Sequence, residues 1–185
     1  VIADKPGGFI SLVNFARGGH RFVVASTKFR PGFDAADCEI RIFSLVPSGG
    51  SVPIHAFSMP YAHRVALTEV GGDLFLLCST LCSKKEFKED WTHPGGVYAA
   101  KVPDKLDGTW EFVPSLEGLN KNHGMDLAQI EPGGKHGFLI SSLEGCFFME
   151  IPERIDQPWP VTVIDRGETS DAFAFDWDGN GHSQI

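Results

Sequence analysis

The chain has 185 residues, 42% of them hydrophobic and 22% charged, with a formal charge of −8 at pH 7. That acidity argues against a duplex-binding role, which needs a basic face against phosphate. No run approaches the ~18–20 apolar residues that span a bilayer as a helix. The 15 Phe and 21 Gly favour sheets joined by tight turns. Cys38, Cys78, Cys82 and Cys146 form no CxxC pair or regular framework and read as reduced thiols. With no Asn-x-Ser/Thr sequon, this favours the cytoplasm over an oxidising compartment.

In chain order, one pattern recurs: an apolar alternating strand, a glycine turn, a second apolar strand and a small hydroxyl residue. It reads ISLVNFARGGHRFVVAST from Ile10, HRVALTEVGGDLFLLCST from His63, and HGMDLAQIEPGGKHGFLISS from His123. A further copy, DAFAFDWDGNGHSQI, begins at Asp171. Third strands are expected at CEIRIFSL (38–45), GGVYAAKVP (95–103) and GCFFMEIP (145–152). Fourth strands are expected at VPIHAFSM (52–59), TWEFVPSL (109–116) and WPVTVIDRG (159–167). No credible amphipathic helix is present; KKEFKEDW (84–91) has room for a single turn. The expected fold is all-β, a β-propeller of four-stranded antiparallel blades near 9–59, 63–116 and 123–166, with the start of another over 171–185. A β-sandwich of the same strands is the alternative. Three blades do not close a ring, so further blades are expected from the rest of a longer chain or from another chain.

The first strand of a blade lines the central channel, and His63, His123 and Asp171 share one repeat position at its start, where the first blade has Ile10. They are therefore expected to ring one mouth of the channel. Two long loops, 28–37 and 81–95, open on the same face. Converging imidazoles serve either divalent metal ligation, with zinc or magnesium on His63 and His123, or acid–base chemistry. The plainer alternative is that each His only hydrogen-bonds backbone at a strand start. Arg64, Thr80, Cys82, Trp91 and Phe29 fall around this mouth as candidate substrate-binding residues. Arg64 reads equally well as a surface charge, Cys82 as a buried thiol, and Lys84 and Lys85 as part of a solvated charge run. Phe33 and Phe87 add aromatic surface to the loops.

The segment from Asp176 to Gln184 carries oxygen side chains at positions 1, 3, 5 and 9, namely Asp176, Asp178, Asn180 and Gln184, with Gly181 at position 6. That spacing matches the front half of a calcium loop, with an Asx-rich turn as the alternative. The loop is expected on the face opposite the histidines, where any ion is structural.

This last segment resembles the calcium-type loops of FG-GAP and VCBS propeller repeats, with Gln where an acid is usual. AHR (62–64), STLC (79–82), DWTHPGGVY (90–98), KNHG (121–124) and SDAFAFDWDGNG (170–181) together resemble propeller proteins of the aldos-2-ulose dehydratase/isomerase family and related fungal hetero-Diels–Alderases. The resemblance implies axial metal-binding histidines, here His63 and His123, and dehydration or isomerisation of a sugar-derived ketone. The cupin domains that follow the propeller in that family have no counterpart in this sequence. The functional expectation is a lyase or isomerase acting on a small molecule at the channel mouth. A metal-independent hetero-Diels–Alder cyclase is one alternative, and a non-catalytic ligand-binding propeller is another.

Overall fold

The computed structural model describes residues 7–130, 133–179 and 183–185. Among these residues the chain is all-β, with no helix and three four-stranded antiparallel sheets. The first sheet holds β1 (Ser11–Arg17), β2 (His20–Thr27), β3 (Glu39–Leu45) and β4 (Ser51–Ser58). The second holds β5 (Ala62–Val70), β6 (Asp73–Thr80), β7 (Gly95–Lys101) and β8 (Val113–Leu119). The third holds β9 (Gly124–Ala128), β10 (Gly137–Ser142), β11 (Gly145–Glu150) and β12 (Val161–Asp165). Each sheet is a meander in which neighbouring strands follow chain order.

The tight hairpins come directly from their glycines. Arg17 pairs with His20 and Val70 with Asp73, so each loop has two residues. Gly18 and Gly19 have φ of 58° and 78°, and Gly71 and Gly72 have 60° and 85°. Positive φ at both central residues is the type I′ turn, whose twist matches that of the flanking strands.

Burial explains why some strands alternate and others run apolar throughout. In β1 partly buried and exposed residues alternate, as expected of an edge strand. The second sheet is covered on both sides. Leu76 and Cys78 of β6 enter a core with Val24, Ile40 and Ile42 of the first sheet. Phe75 and Leu77 enter a second core with Phe138, Ile140 and Met149 of the third sheet and with Trp159 just before β12. Burying a Leu this fully contributes about 1.5–3 kcal/mol. Strand β5 packs against β1 and β2 on one side and β9 on the other. Polar groups fasten the seams: Val65 N–H donates to Ser11 Oγ at 3.0 Å, and Asn122 Nδ2 donates to Gly96 O at 3.1 Å.

The repeated hydroxyl residues at the ends of the second strands are buried structural groups. Ser26 Oγ donates to Ala62 O at 3.0 Å, and Ser79 Oγ accepts the Arg64 N–H at 3.1 Å. Thr27 Oγ1 donates to Glu39 O at 3.2 Å, and Thr80 Oγ1 accepts the Gly96 N–H at 3.2 Å.

Two strand expectations need correction. The fourth strand of the second sheet begins at Val113, not Thr109. Trp110 Nε1 instead donates to Leu106 O at 3.1 Å, and Trp110 and Phe112 pack their rings on Phe57 of the first sheet. The copy from Asp171 forms no described strand, only an isolated antiparallel bridge between Phe175 and Gln184. Ala172 and Ala174 lie against the outer apolar cluster of the third sheet, while Phe173 and Phe175 face solvent.

Candidate functional site

Tyr61 and Lys121 each stand two residues before a repeat histidine, and each adopts a left-handed backbone, with φ of 59° and 46°. Phe33 and Lys28 do the same at 58° and 64°. Non-glycine residues rarely hold this conformation, which costs of order 1–3 kcal/mol each when strained. Among the described residues all four non-glycine examples occur in connections between strands, and three of them line the cavities described below.

The kink at Tyr61 starts β5 and directs His63 inward until it is 1% exposed. Its Nδ1 lies 2.9 Å from the His123 carbonyl oxygen. A carbonyl only accepts, so Nδ1 carries the proton and the lone pair of the neutral ring is on Nε2. Arg64 Nε donates to the same carbonyl at 3.1 Å. The plainer role of a strand-start histidine therefore holds for one nitrogen of His63. Burial, reinforced by His123 and Arg64, lowers the His63 pKa to about 4, so the ring is neutral at pH 7.

His123 lies against it, ring centroids 4.2 Å apart and planes tilted by 38°. Unlike His63, its side chain keeps 30% of its surface in solvent. Its Nδ1 faces Asp171 Oδ2 at 3.4 Å, with no hydrogen bond formed. Asp171 Oδ1 is 3.4 Å from Arg64 NH2. Residues from β5, from the start of β9 and from beyond β12 thus meet at one point. Gly124 permits the approach, since a Cβ there would sit 3.0 Å from Asp171 Oδ1 and from the Ser141 side chain.

The long loops form the rim. Phe29 meets the His63 ring at 5.2 Å, and Phe33 meets Trp91 edge-on at 5.4 Å. Asp90 fixes the loop that carries Trp91: it accepts the Glu86 and Thr92 N–H groups and the Thr92 hydroxyl. Those bonds hold its carboxyl down at about 2. Two cavities share Phe33 as a wall. One, of about 390 Å³, is lined by Lys121, His123, Leu143, Glu168, Thr169 and Ser170. The other, of about 350 Å³, includes Tyr61, Lys85 and Phe87. Both volumes suit small organic ligands.

Other sequence candidates are engaged elsewhere. Cys82 is fully buried between the first two sheets, where desolvation pushes its thiol up to about 11. It is a core residue and has no thiolate for attack or ligation at neutral pH. Thr80 is tied to Gly96. Lys85, read from sequence as a solvated charge, sits 3.3 Å from the Trp91 ring centroid. The sequence reading missed Lys121 and Asp90; the position of Lys121, matching Tyr61 in the repeat, was the available signal.

The metal expectations meet the donor set as follows. Among the described residues no group of three or more His, Cys, Asp or Glu side chains could hold an ion. A zinc or magnesium ion on His63 and His123 thus has no third described ligand. In the calcium-type segment, Asn180 and Gly181 lie outside the described residues. Gln184 Oε1 already accepts the Trp177 N–H at 2.8 Å, and the Phe175 and Gln184 backbones bond reciprocally at 3.0 and 2.9 Å. The position-9 oxygen therefore accepts a backbone N–H of its own turn. No protein-family model matches the chain, and no curated protein matches it at a significant level.

Proposed function

We propose that the three sheets are blades of a β-propeller and that the His123 cavity carries out proton transfer of the lyase or isomerase kind on a small carbonyl compound. The propeller reading is supported by the in-order meander of each sheet and by the packing of β5 between β1 and β9. It also agrees with the resemblance to the aldos-2-ulose dehydratase/isomerase propellers. The observation that carries the functional reading is the pairing of two unlike histidines. One is buried and neutral; the other is open to a cavity with a carboxylate at its Nδ1.

In this reading His123 Nε2 takes a proton from the carbon beside the substrate carbonyl. The C–H electron pair becomes the C=C bond of an enolate as the carbonyl π pair moves onto its oxygen. Where the deprotonated carbon bears a hydroxyl, transfer of that O–H proton to the enolate oxygen makes this hydroxyl oxygen the new carbonyl oxygen. Returning the proton taken from carbon to the former carbonyl carbon then completes an isomerisation. Delivering it to a departing β-hydroxyl releases water and completes a dehydration. Asp171 orients the His123 ring and stabilises the imidazolium, as carboxylates do behind catalytic histidines. His63 and Arg64 hold the His123 backbone from behind.

The test is hydrogen exchange in D2O with polyhydroxy ketones, followed by proton NMR. Loss of the signal beside the carbonyl is expected with the unaltered protein and at least about a hundredfold less with His123→Asn, the usual scale of general-base removal. Exchange undiminished in that variant would sink the assignment.

A further inference from the structure

The ring of Trp91 carries two cations. Lys85 Nζ is 3.3 Å from its centroid and Lys121 Nζ is 5.3 Å away. Among the described residues neither ammonium forms a salt bridge with a carboxylate, although the chain has 24 acidic residues against 16 basic ones. Lys85 donates instead to Lys88 O at 2.8 Å. Lys85 already has Glu89 and Asp90 nearby, and they offset the repulsion from Lys121. The cation with no salt bridge to a carboxylate among the described residues that also lines the cavity of His123 is Lys121.

Lys121 lines the same cavity as His123, whereas Lys85 lines the adjoining one across Phe33. The cavity wall is mixed in charge: Lys121 comes from the connection before β9, while Glu168, Thr169 and Ser170 come from the segment after β12. A ligand with a negative group and hydroxyl groups is oriented by that difference: the anion is drawn to the lysine and repelled by Glu168, while its hydroxyls meet oxygen acceptors.

We propose that the His123 cavity takes small polyhydroxy molecules bearing a carboxylate, with Lys121 holding that group and Lys85, across Trp91, adding positive charge beside it. The inference rests on reading this cavity as the small-molecule site. It adds the charge and polarity of the ligand, which that reading leaves open. Lys121 and Lys85 are binding residues here and take no part in moving the proton.

The test is calorimetric titration with glucuronate, glucose and glucose 6-phosphate, at 20 and 200 mM NaCl. Glucuronate is expected to bind at least about tenfold more tightly than glucose at low salt, the equivalent of ~1.4 kcal/mol. Higher salt weakens that preference. Lys121→Gln removes most of the preference, Lys121→Arg restores it, and Lys85→Gln lowers it by about two- to threefold. Lys105→Gln, at an exposed lysine away from the cavity, leaves it unchanged. His123→Asn keeps the preference while losing proton exchange, which separates binding from chemistry. A preference for glucuronate without exchange of any ketone proton sinks the proton-transfer reading and leaves carboxylate recognition standing. Equal binding of glucose and glucuronate overturns the proposal. So does binding of glucose 6-phosphate without glucuronate, or no binding of any of the three.

Discussion

His63 and His123 occupy equivalent repeat positions, yet burial makes them chemically different. The His63 ring is 1% exposed and its pKa is about 4, against ~6.5 for a free imidazole. Between those two values the unfolded chain binds a proton that the folded chain refuses. The associated stability is therefore fully present above pH 6.5 and is lost as pH falls toward 4, about 3 kcal/mol in all. Urea unfolding at pH 7, 5.5 and 4.5 checks this. His63→Asn keeps a side-chain N–H for the His123 carbonyl and should flatten that part of the pH dependence. An unchanged pH profile in the variant would place the titration elsewhere. At Asp171 the effect should fall on chemistry. Its contacts at 3.4 Å are part-exposed, so Asp171→Asn should cost under about 1 kcal/mol of stability. The same change should slow ketone exchange by at least about tenfold if the carboxylate orients His123, and equal rates would refute that role. The repeat position of the histidines was legible in the sequence. Their division of labour was not, because it depends on which ring the neighbouring sheets cover.

At the level of elements, hairpins were the most legible feature. Gly18-Gly19 and Gly71-Gly72 sit between alternating runs, and a two-residue turn with positive φ leaves few other geometries. The fourth strand of the second sheet was less legible. TWEFVPSL has strand-like residues throughout, but Trp110 and Phe112 pack on Phe57 of the first sheet and do not pair with β7. Cys82 stood between two readings for a related reason: its loop lies at the rim, but its own side chain packs in the core, which fits the buried-thiol reading. Another element-scale constraint is steric. Gly145 starts β11 with φ of 136°, and a Cβ there would fall 2.1 Å from Asp165 O in β12. Gly145→Ala should destabilise by at least about 2 kcal/mol, visible as a lower urea midpoint, because both backbone strain and the strand contact must be relieved. A midpoint within error of the unaltered protein would show that β12 yields without cost.

Across the whole molecule, the second sheet is the keystone, since both its faces are buried against neighbours. Leu77→Ala should cost about 2–5 kcal/mol, whereas Leu12→Ser, at a 54% exposed position on β1, should be nearly neutral. Equal costs at both positions would contradict this packing. The same stacking brings the starts of β5 and β9 together and so creates the site: His63 and Arg64 from the start of β5 both donate to the His123 carbonyl just before β9. The proposed site needs one histidine as a buried neutral support and the other as an open proton carrier. The most direct test is nitrogen-15 NMR of the imidazole rings between pH 4 and 8. His63 should show a protonated Nδ1 and an unprotonated Nε2 at pH 7, with no titration until pH nears 4. A His63 ring that titrates near 6.5, or that carries its proton on Nε2 when neutral, would contradict it.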